Sequence, residues 1–454
     1  MSKKILILAS FIGSGHKKAA EALKLGLQCD DPAAEVEIVN FFEYAHPAIA
    51  KAISALYFKL LNTDPETWNY IYDPREGKAR VAEMLGLDGL VKGIRVKRVL
   101  DYAFDDQVES GIKSAVNSGS RINLGMKELL MMVGAKPEIA EKIYDEESDK
   151  IKFPYTLIEG KLRLMKDMGE YLTFRTQELF LEYKPDVVVC TQVLPCMFAA
   201  KLKEKKKTTV PLVAVITDFG VHSFWMKKEV DAFIIPYSGV SESLTKNNIS
   251  NDKIHDFGIP IDKKFSVQKN KQKLKEKFGL EDNVFTLLFM GGGAGFGIDF
   301  FDTLKKLEDE KLKIQILIVC GKNEDLRLEM DKMQQLMSIP MKVFGFADNI
   351  DEMMAVSDAI ITKPGGLTIA ESMVSDLPMI LVRVIQGQED NNLKFLLENG
   401  MGIDAGRGEK LASIIIDLMR NQDILKEMKP RLKEFSRPQS ASKISQLILS
   451  LVKN

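Results

Sequence analysis

Short, predominantly apolar runs recur along the chain, separated by longer stretches with helical periodicity. The runs lie at positions 5–8, 36–39, 187–190, 213–216, 233–235, 287–290, 314–319, 359–361 and 379–382. Unbroken rather than alternating hydrophobicity is typical of strands covered on both faces, and helices between such strands make a sheet parallel. The pattern therefore predicts an α/β fold of the doubly wound type.

The alternation of strands and helices stops between residues 261 and 283, where no buried strand is predicted. A chain of 454 residues exceeds the roughly 250 residues at which a single core usually stops growing. We therefore expect a first domain at 1–262 and a second at 283–430. Residues from about 75 to 160 predict a helical insertion, and apolar residues at helical spacing predict a last helix, 440–454, docked on the first domain.

The overall charge of the chain is close to neutral, since 63 Lys and Arg face 64 Asp and Glu. No global field attracts nucleic acid, which we do not expect as a partner. No run of about 18 apolar residues is present, so no helix is expected to span a bilayer. The four cysteines form no C-x-x-C pair and each lies in or beside an apolar run, which predicts packed, reduced thiols and a cytoplasmic protein.

A glycine-rich turn, FMGGGAGFG at 289–297, follows a predicted strand and precedes a helical pattern. Closely spaced glycines let backbone N–H groups and a helix N-terminus approach a phosphate. The spacing matches neither the nicotinamide fingerprint nor the Walker A loop. We interpret Gly291, Gly292, Gly293 and Gly295 as a phosphate-binding turn, with a purely structural turn as the alternative.

A second turn, TKPGGLTIAES at 362–372, follows the strand predicted at 359–361. Gly365 and Gly366 allow a tight strand-to-helix connection, and Thr368 is predicted to cap the helix. Glu371 then falls in the first helical turn, where its carboxylate would accept hydrogen bonds from two ribose hydroxyls. An acid at this place also complements the helix dipole, which is the alternative interpretation.

Polar side chains follow the next predicted strand, in the segment IQGQEDNN at 385–392. Loops after parallel strands open at the ligand-binding edge of doubly wound sheets. Six amide or carboxylate side chains in eight residues suit the hydroxyls of a sugar. The alternative is a helix cap followed by a solvated face.

The first half of the chain places two histidines and an aspartate at strand ends. His16 closes SFIGSGH after the first strand, where a neutral imidazole can act as a base. Asp218 and His222 follow the strand predicted at 213–216, and Trp225 nearby is predicted to face lipid or to stack on an acceptor. Capping and turn-forming roles are the alternatives for the histidines and Asp218.

Six segments, taken in order, resemble the monogalactosyldiacylglycerol synthase and processive diacylglycerol glucosyltransferase family. The chain is also similar, more distantly, to the bacterial N-acetylglucosaminyltransferase that makes lipid II. The resemblance covers most of the chain except about 75–160. The segments are ILILASFIGSGHKKAAEAL, ITDFGVHSFW, FGIPI, FMGGGAGFG, GFADNIDEMMAVSDAIITKPGGLTIAES and QGQEDNN.

The resemblance implies a GT-B fold, in which two Rossmann-like domains face each other across a cleft. It implies an inverting glycosyltransferase that uses no catalytic metal or other cofactor and moves a hexose from a UDP-sugar to diacylglycerol or a glycosyl-diacylglycerol. This family usually carries a proline before GQE, where this chain has Gln386 and Gly387. Glucose and galactose both stay open as the donor sugar, as does the number of sugars added.

The family's motifs also imply roles for individual residues. The loop at 291–297 would hold the UDP diphosphate, the backbone around Phe346 and Ala347 would bind uracil, and Glu371 would bind ribose. Sugar hydroxyls would contact Gln388 and Glu389. Independently of the resemblance, the negative charge that develops on UDP predicts that Lys363, just before the second glycine turn, helps to stabilise the leaving group, with a surface lysine as the alternative. On the acceptor side, Asp218 matches the TD motif of the family, and the GxGH motif supplies Gly13, Gly15 and His16, the last as a base or acceptor-positioning group.

A lipid acceptor requires contact with a membrane, and the segment 89–100 has a suitable composition. It carries Lys92, Arg95, Lys97 and Arg98 together with apolar residues and no acid. Such a mixture favours an interfacial helix on an anionic membrane surface, here the inner face of the cell membrane. The alternatives are an insertion helix packed on the first domain and a contact of a homo-oligomer.

Three other functions are compatible with these motifs. The chain could transfer N-acetylglucosamine from UDP-GlcNAc to another lipid acceptor. Because UDP binding needs only the second domain, it could be a non-catalytic UDP-sugar sensor. A UDP-sugar epimerase shares the fold, but it consumes no acceptor, whereas a transferase releases UDP only when acceptor is present.

Overall fold

The computed structural model describes residues 2–10, 15–45, 144–145, 150–151, 157–221, 223–292, 301–382 and 389–452. Its strands are β1 (Lys4–Ala9), β2 (Glu35–Asn40), β3 (Tyr144–Asp145), β4 (Lys150–Ile151), β5 (Val187–Cys190), β6 (Leu212–Val215), β7 (Ala232–Ile235), β8 (Ile254–Asp256), β9 (Phe285–Met290), β10 (Ile314–Val319), β11 (Met341–Phe344), β12 (Ala359–Thr362), β13 (Met379–Leu381) and β14 (Gly402–Asp404).

Helices connect most of these strands. They are α1 (Gly15–Asp30), α2 (Phe41–Ala45), α3 (Leu157–Tyr183), α4 (Val193–Glu204), α5 (Ser241–Thr245), α6 (Lys271–Phe278), α7 (Phe301–Asp309), α8 (Glu324–Leu336), α9 (Ile350–Val356), α10 (Gly366–Val374), α11 (Asp390–Glu398), α12 (Leu411–Arg420), α13 (Asp423–Phe435) and α14 (Ser440–Leu451).

Two parallel sheets of six strands each form the core of the two halves of the chain. The first has the order β2-β1-β5-β6-β7-β8, and the second has the order β11-β10-β9-β12-β13-β14. Ile5 of β1 pairs with Val36 on one side and Val187 on the other, which sets the register at the centre of the first sheet. In each sheet the strand order reverses beside its first strand, between β1 and β5 and between β9 and β12. Ligands bind outside the carboxyl ends of strands at such switch points.

All nine predicted strands are present in these sheets, but three strands were missed. β8, β11 and β14 each lie at the edge of a sheet. Their residues are mostly half-buried, whereas the central strands β5, β6, β7 and β12 are buried at every position. These three edge strands are covered less completely, so their sequences lack the apolar run that identifies the other nine strands.

The predicted insertion at about 75–160 lies mostly outside the described residues. Its described parts are the antiparallel pair of β3 with β4 and the first residues of α3, which begins at Leu157. α3 then continues to Tyr183 and leads directly into β5 of the first sheet.

The last helix, α14, packs against α1 in the first half of the chain. Its buried residues Ile444 and Ile448 join the apolar cluster formed by β1, β5, β6 and α1. The chain therefore leaves the second sheet and returns to cover the first, because the apolar stripe of α14 is buried there.

Three of the four cysteines are buried, at positions 190, 196 and 320. Cys29 is exposed, so the prediction that every thiol is packed is wrong for this residue, which lies near the end of α1. Within the described part of the chain, no helix is both long and apolar enough to cross a membrane.

Candidate functional site

A cavity of about 570 Å³ lies between the carboxyl ends of the two sheets. Its lining includes residues of α1 and of the loop after β6 from the first half, and residues that follow β9, β11 and β12 from the second. The switch points of both sheets therefore open on one cleft. A nucleotide bound to the second sheet and an acceptor bound to the first would meet in this space.

His16 stands at the start of α1, directly above the switch point of the first sheet. Its Nδ1 lies 2.8 Å from the carbonyl oxygen of Thr191, which follows β5, and 3.1 Å from the hydroxyl of Thr217, which follows β6. A carbonyl can only accept, so Nδ1 carries the proton of the neutral ring and Nε2 keeps its lone pair. Burial lowers the pKa of His16, although the charge of Asp218 and the hydrogen bond to Thr191 oppose this effect.

The loop after β6 brings Asp218 to the same side of the cleft. Its Oδ1 accepts a hydrogen bond of 2.9 Å from the side-chain amide of Asn392 in α11. The carboxylate is close enough to His16 for its charge to raise the pKa of that ring. His16 and Asp218 thus lie near each other on the wall of the cavity that belongs to the first sheet.

On the opposite wall, α10 begins at the cavity with no side chain capping its N-terminus. The first N–H groups of this helix have no intrahelical acceptor, so they are directed at the cavity together with the positive end of the helix dipole. A Cβ at Gly366 would lie 2.0 Å from the backbone oxygen of Thr217. The turn before α10 can therefore approach the loop after β6 only because residue 366 has no side chain.

The glycine-rich turn after β9 is described as far as Gly292. Gly292 lines the cavity and has φ +80°, a conformation that favours glycine. Gly292 lies close to the side chain of Lys363, since a Cβ at Gly292 would be 3.2 Å from Cε of that lysine. The turn therefore brings backbone close to the lysine at the end of β12.

Lys363 and Glu389 form an ion pair at the floor of the cavity. The ammonium lies 2.5 Å from Oε1 of Glu389. Burial raises the pKa of this carboxyl, and the charge of Lys363 acts in the opposite direction. Oε2 of Glu389 is buried and has no hydrogen-bonding partner among the described residues. A buried acceptor without a donor is costly, so a ligand hydroxyl would satisfy it.

Glu371 lies further along α10 and also lines the cavity. Burial raises its pKa to about 8, and the charges of Lys264 and Lys18 limit this rise. A carboxyl with a raised pKa keeps its proton to a higher pH than an exposed carboxyl does. A ligand whose two hydroxyl groups donate hydrogen bonds to Glu371 would favour the ionised form of this carboxyl.

The far end of the cavity is lined by residues that follow β11. Phe346 and Ala347 both line it, and the Phe346 side chain is 51% exposed. The ammonium of Lys322 lies 5.9 Å from the centroid of that ring. An exposed aromatic side chain on a cleft wall offers an apolar face for a planar base.

The sequence matches two family profiles. Residues 138–261 match the family described as monogalactosyldiacylglycerol (MGDG) synthase, and residues 286–444 match the glycosyltransferase family 28 C-terminal domain. A processive diacylglycerol beta-glucosyltransferase of Bacillus cytotoxicus is 30% identical over 275 residues, which cover 61% of this chain and 70% of the relative. One of Bacillus pumilus is 29% identical over 273 residues, covering 60% of this chain and 70% of that relative.

The chain belongs to the monogalactosyldiacylglycerol synthase and processive diacylglycerol glucosyltransferase family. Solved structures agree on the fold of this family member. Acinetobacter baumannii MurG has a TM-score of 0.53 at 13% identity, covering 99% of this chain and all of that one. The UDP-GlcNAc 2-epimerase of Neisseria meningitidis has a TM-score of 0.51 at 11% identity, again over 99% and 100%. These likenesses show a GT-B fold, which both kinds of protein share.

The structure brings most of the predicted site residues of this family member into one cavity. Those that line it are Gly15, His16, Asp218, Gly292, Phe346, Ala347, Lys363, Gly365, Gly366, Thr368, Glu371 and Glu389. Gly291 directly precedes Gly292 and is buried. Gly13, His222, Gly293, Gly295, Gln388, Lys92, Arg95, Lys97 and Arg98 lie outside the described residues.

Three of the predictions need correction. Trp225 is 6% exposed and packs in the core of the first half against β6 and α4, so it does not face lipid or an acceptor. Thr368 does not cap its helix, because α10 begins two residues earlier, at Gly366, with Gly365 as the N-cap. For the same reason Glu371 lies beyond the first turn of the helix.

Sequence reasoning missed three residues that organise the site. Thr191 and Thr217 hold the ring of His16. Thr191 directly follows β5, and Thr217 lies two residues after the end of β6. Polar residues at that position of a doubly wound sheet could have identified them. Asn392 lay in the polar segment predicted to contact sugar, but its side chain contacts the loop of Asp218 instead and is fully buried. Among the described residues, no group of three or more His, Cys, Asp or Glu is arranged to hold a metal.

Proposed function

We propose that this protein is an inverting glycosyltransferase that moves a hexose from UDP-glucose or UDP-galactose to diacylglycerol or a glycosyl-diacylglycerol. The observation that carries the proposal is the shared cavity, which is lined both by His16 at the start of α1 and by Gly366 at the start of α10. We assign residues 1–262 and the last helix to an acceptor domain and residues 283–430 to a donor domain.

The proposed reaction is a single displacement at the anomeric carbon. Nε2 of His16 removes the proton of the acceptor hydroxyl, and the oxygen forms a bond to the anomeric carbon as the bond to UDP breaks. Nδ1 stays bonded to Thr191, so the ring is held in the tautomer that has its lone pair on Nε2. The nearby charge of Asp218 stabilises the imidazolium that forms.

The leaving UDP takes the bonding electron pair and develops negative charge. The free N–H groups at the start of α10 and the backbone around Gly292 are placed to stabilise that charge. Lys363 is tied to Glu389, so its charge acts on the donor from a fixed position. Oε2 of Glu389, buried and without a donor, is placed to accept a hydroxyl of the sugar.

Labelled UDP-glucose and UDP-galactose, each incubated with and without diacylglycerol in vesicles, test this function. A transferase gives labelled glycolipid and releases UDP in proportion to acceptor. Turnover of the UDP-sugar that does not depend on acceptor would support an epimerase instead. Binding without any turnover would support a UDP-sugar sensor, and turnover of UDP-GlcNAc alone would point to another lipid acceptor.

Contact with the membrane is the second part of the proposal, with the protein peripheral on the inner face of the cell membrane. The segment 89–100 supports it through its four cations and lack of acids. Attraction of roughly 1 kcal/mol per basic residue should bind the protein to anionic vesicles at low salt. Sedimentation with these vesicles should fall when Lys92, Arg95, Lys97 and Arg98 are changed to Gln. Equal sedimentation of the wild type and this variant at low salt would show that the segment 89–100 does not bind the membrane.

The ionisation of Glu371 predicts how donor affinity depends on pH. Burial raises the pKa of this carboxyl to about 8, and ribose hydroxyls that donate to it favour the carboxylate. Donor binding therefore expels a proton below pH 8, so affinity for UDP-glucose should rise as the pH approaches 8 and level off above it. Calorimetry at several pH values measures both the affinity and the proton release.

Glu371→Gln should abolish this pH dependence and weaken binding above pH 8 by about 10- to 150-fold, the worth of a charge-assisted hydrogen bond. Glu21→Gln is the matched control, because Glu21 also lines the cavity but is paired with Lys18 on α1. The control should keep the wild-type slope. A flat profile in the wild type would remove Glu371 from the ribose site.

A further inference from the structure

Asn392 connects the two walls of the cleft through three hydrogen bonds. Its Oδ1 accepts a bond of 2.6 Å from the backbone N–H of Phe219, next to Asp218. Its Nδ2 donates to Oδ1 of Asp218 at 2.9 Å and to the carbonyl of Pro364 at 3.0 Å. The side chain is 0% exposed. One amide therefore links the loop after β6, the turn before α10 and the start of α11.

The orientation of this amide follows from its partners. Nδ2 faces an oxygen of a carboxylate and an oxygen of a carbonyl, and both of these accept hydrogen bonds. Oδ1 faces a backbone N–H, which donates. Each hydrogen bond of this amide therefore joins a donor to an acceptor. Aspartate has nearly the same shape but supplies no donor, so it would lose the contacts to Asp218 and Pro364 and place two carboxylates side by side.

Other contacts already hold the two halves together at this point. The ring of Phe219 stacks on Phe395 with centroids 4.3 Å apart, and Gly366 packs against the backbone of Thr217. These contacts position the backbone of the loop but do not bond to the carboxylate of Asp218. Among the described residues, Asn392 is the side chain that holds Oδ1 of that carboxylate.

We infer that Asn392 is a positioning residue of the transfer reaction. It fixes the carboxylate of Asp218 beside His16 and ties it to the turn that leads into α10. The donor site and the side chains of His16 and Asp218 are thereby kept in one relative position, without Asn392 itself touching the reacting atoms. This inference rests on the proposed function, in which Asp218 assists His16.

A double-mutant cycle between Asn392 and Asp218 tests the inference. Asn392→Ala should lower kcat by about 10²-fold, the effect of displacing a catalytic group by about 1 Å, with unchanged affinity for UDP. Asn392→Asp should lower kcat at least as strongly. In an Asp218→Ala background, Asn392→Ala should have little further effect, because the group that it positions is already absent.

Asn399→Ala is the matched control. Asn399 is an amide that directly follows α11 and donates to the carbonyl of Phe395 in that helix, so kcat should stay within a few-fold of wild type. Full additivity of the Asn392 and Asp218 effects, or wild-type kcat in a folded Asn392→Ala variant, would overturn the inference.

The same double-mutant cycle is also followed by measuring the midpoint of chemical unfolding of each variant, an experiment that needs no substrate. Coupling between Asn392 and Asp218 is expected there as well, and its absence would overturn the contact. Lack of turnover in the wild type would contradict the proposed function, while the unfolding cycle would still decide whether Asn392 holds Asp218. The two failures are therefore distinguishable.

Discussion

Replacing His16 by alanine should lower kcat by about 10²- to 10⁴-fold, the usual contribution of a general base, and leave donor binding unchanged. Nε2 is the basic atom, since Nδ1 is bonded to the carbonyl of Thr191. The pKa of the ring is lowered from 6.5, chiefly by burial. The base must be neutral to act, so the acidic limb of the wild-type pH–rate profile should lie below pH 6.5. Steady-state turnover with UDP-glucose across pH checks both expectations.

His255→Ala is a suitable control for this experiment. His255 lies on the edge strand β8, and burial also lowers its pKa, but it does not line the cavity. The control should keep turnover within a few-fold of wild type. If His16→Ala also retains turnover within a few-fold, His16 has a structural role and Asp218 becomes the candidate base.

Gly366→Ala should lower the free energy of unfolding by about 1–3 kcal/mol, the usual cost of overpacking. The new Cβ would lie 2.0 Å from the backbone oxygen of Thr217, and neither backbone segment can rotate away as a flexible side chain could. The turn before α10 must separate from the loop that carries Thr217 and Asp218. Turnover should therefore fall by about 10²-fold as the donor and the base move apart.

Gly365→Ala separates this effect from a general intolerance of the turn. Among the described residues, a Cβ at Gly365 would meet only Oε1 of Glu389, at 3.9 Å, and the backbone there has φ −77° and ψ 132°, which alanine adopts readily. Chemical unfolding should show Gly365→Ala close to wild type and Gly366→Ala well below it. Equal stability of the two variants would contradict the close approach of the two halves.

The positions of the central strands could be predicted because burial on both faces demands unbroken apolar runs. Thr286 and Gln315 are informative exceptions, since both are polar and buried within strands of the second sheet. The amide of Gln315 donates to the hydroxyl of Thr286 at 2.9 Å, and its oxygen accepts from the N–H of Glu281. Paired polar groups of this kind interrupt the apolar pattern without breaking the strand.

The chemistry-bearing residues of the candidate site could also be found from local patterns. His16, Asp218, Lys363 and Glu371 each follow a buried strand within a short distance, and all line the one cavity. Their ionisation could not be predicted in this way. We expected Glu371 in the first turn of its helix, whereas burial beyond that turn raises its pKa to about 8.

Sequence by itself determined the central strands, the doubly wound class and the residues at the carboxyl ends of the strands, because these depend on hydrophobicity and spacing within a few residues. Tertiary structure decided which of these ends meet. Thr191 and Thr217 are 26 residues apart in number yet hold the same imidazole, and Asn392 reaches Asp218 across 174 positions. Such contacts depend on the packing of two sheets against each other. The periodicity of apolar residues in a sequence indicates only which face of a helix or strand is buried, and not which other element packs against that face.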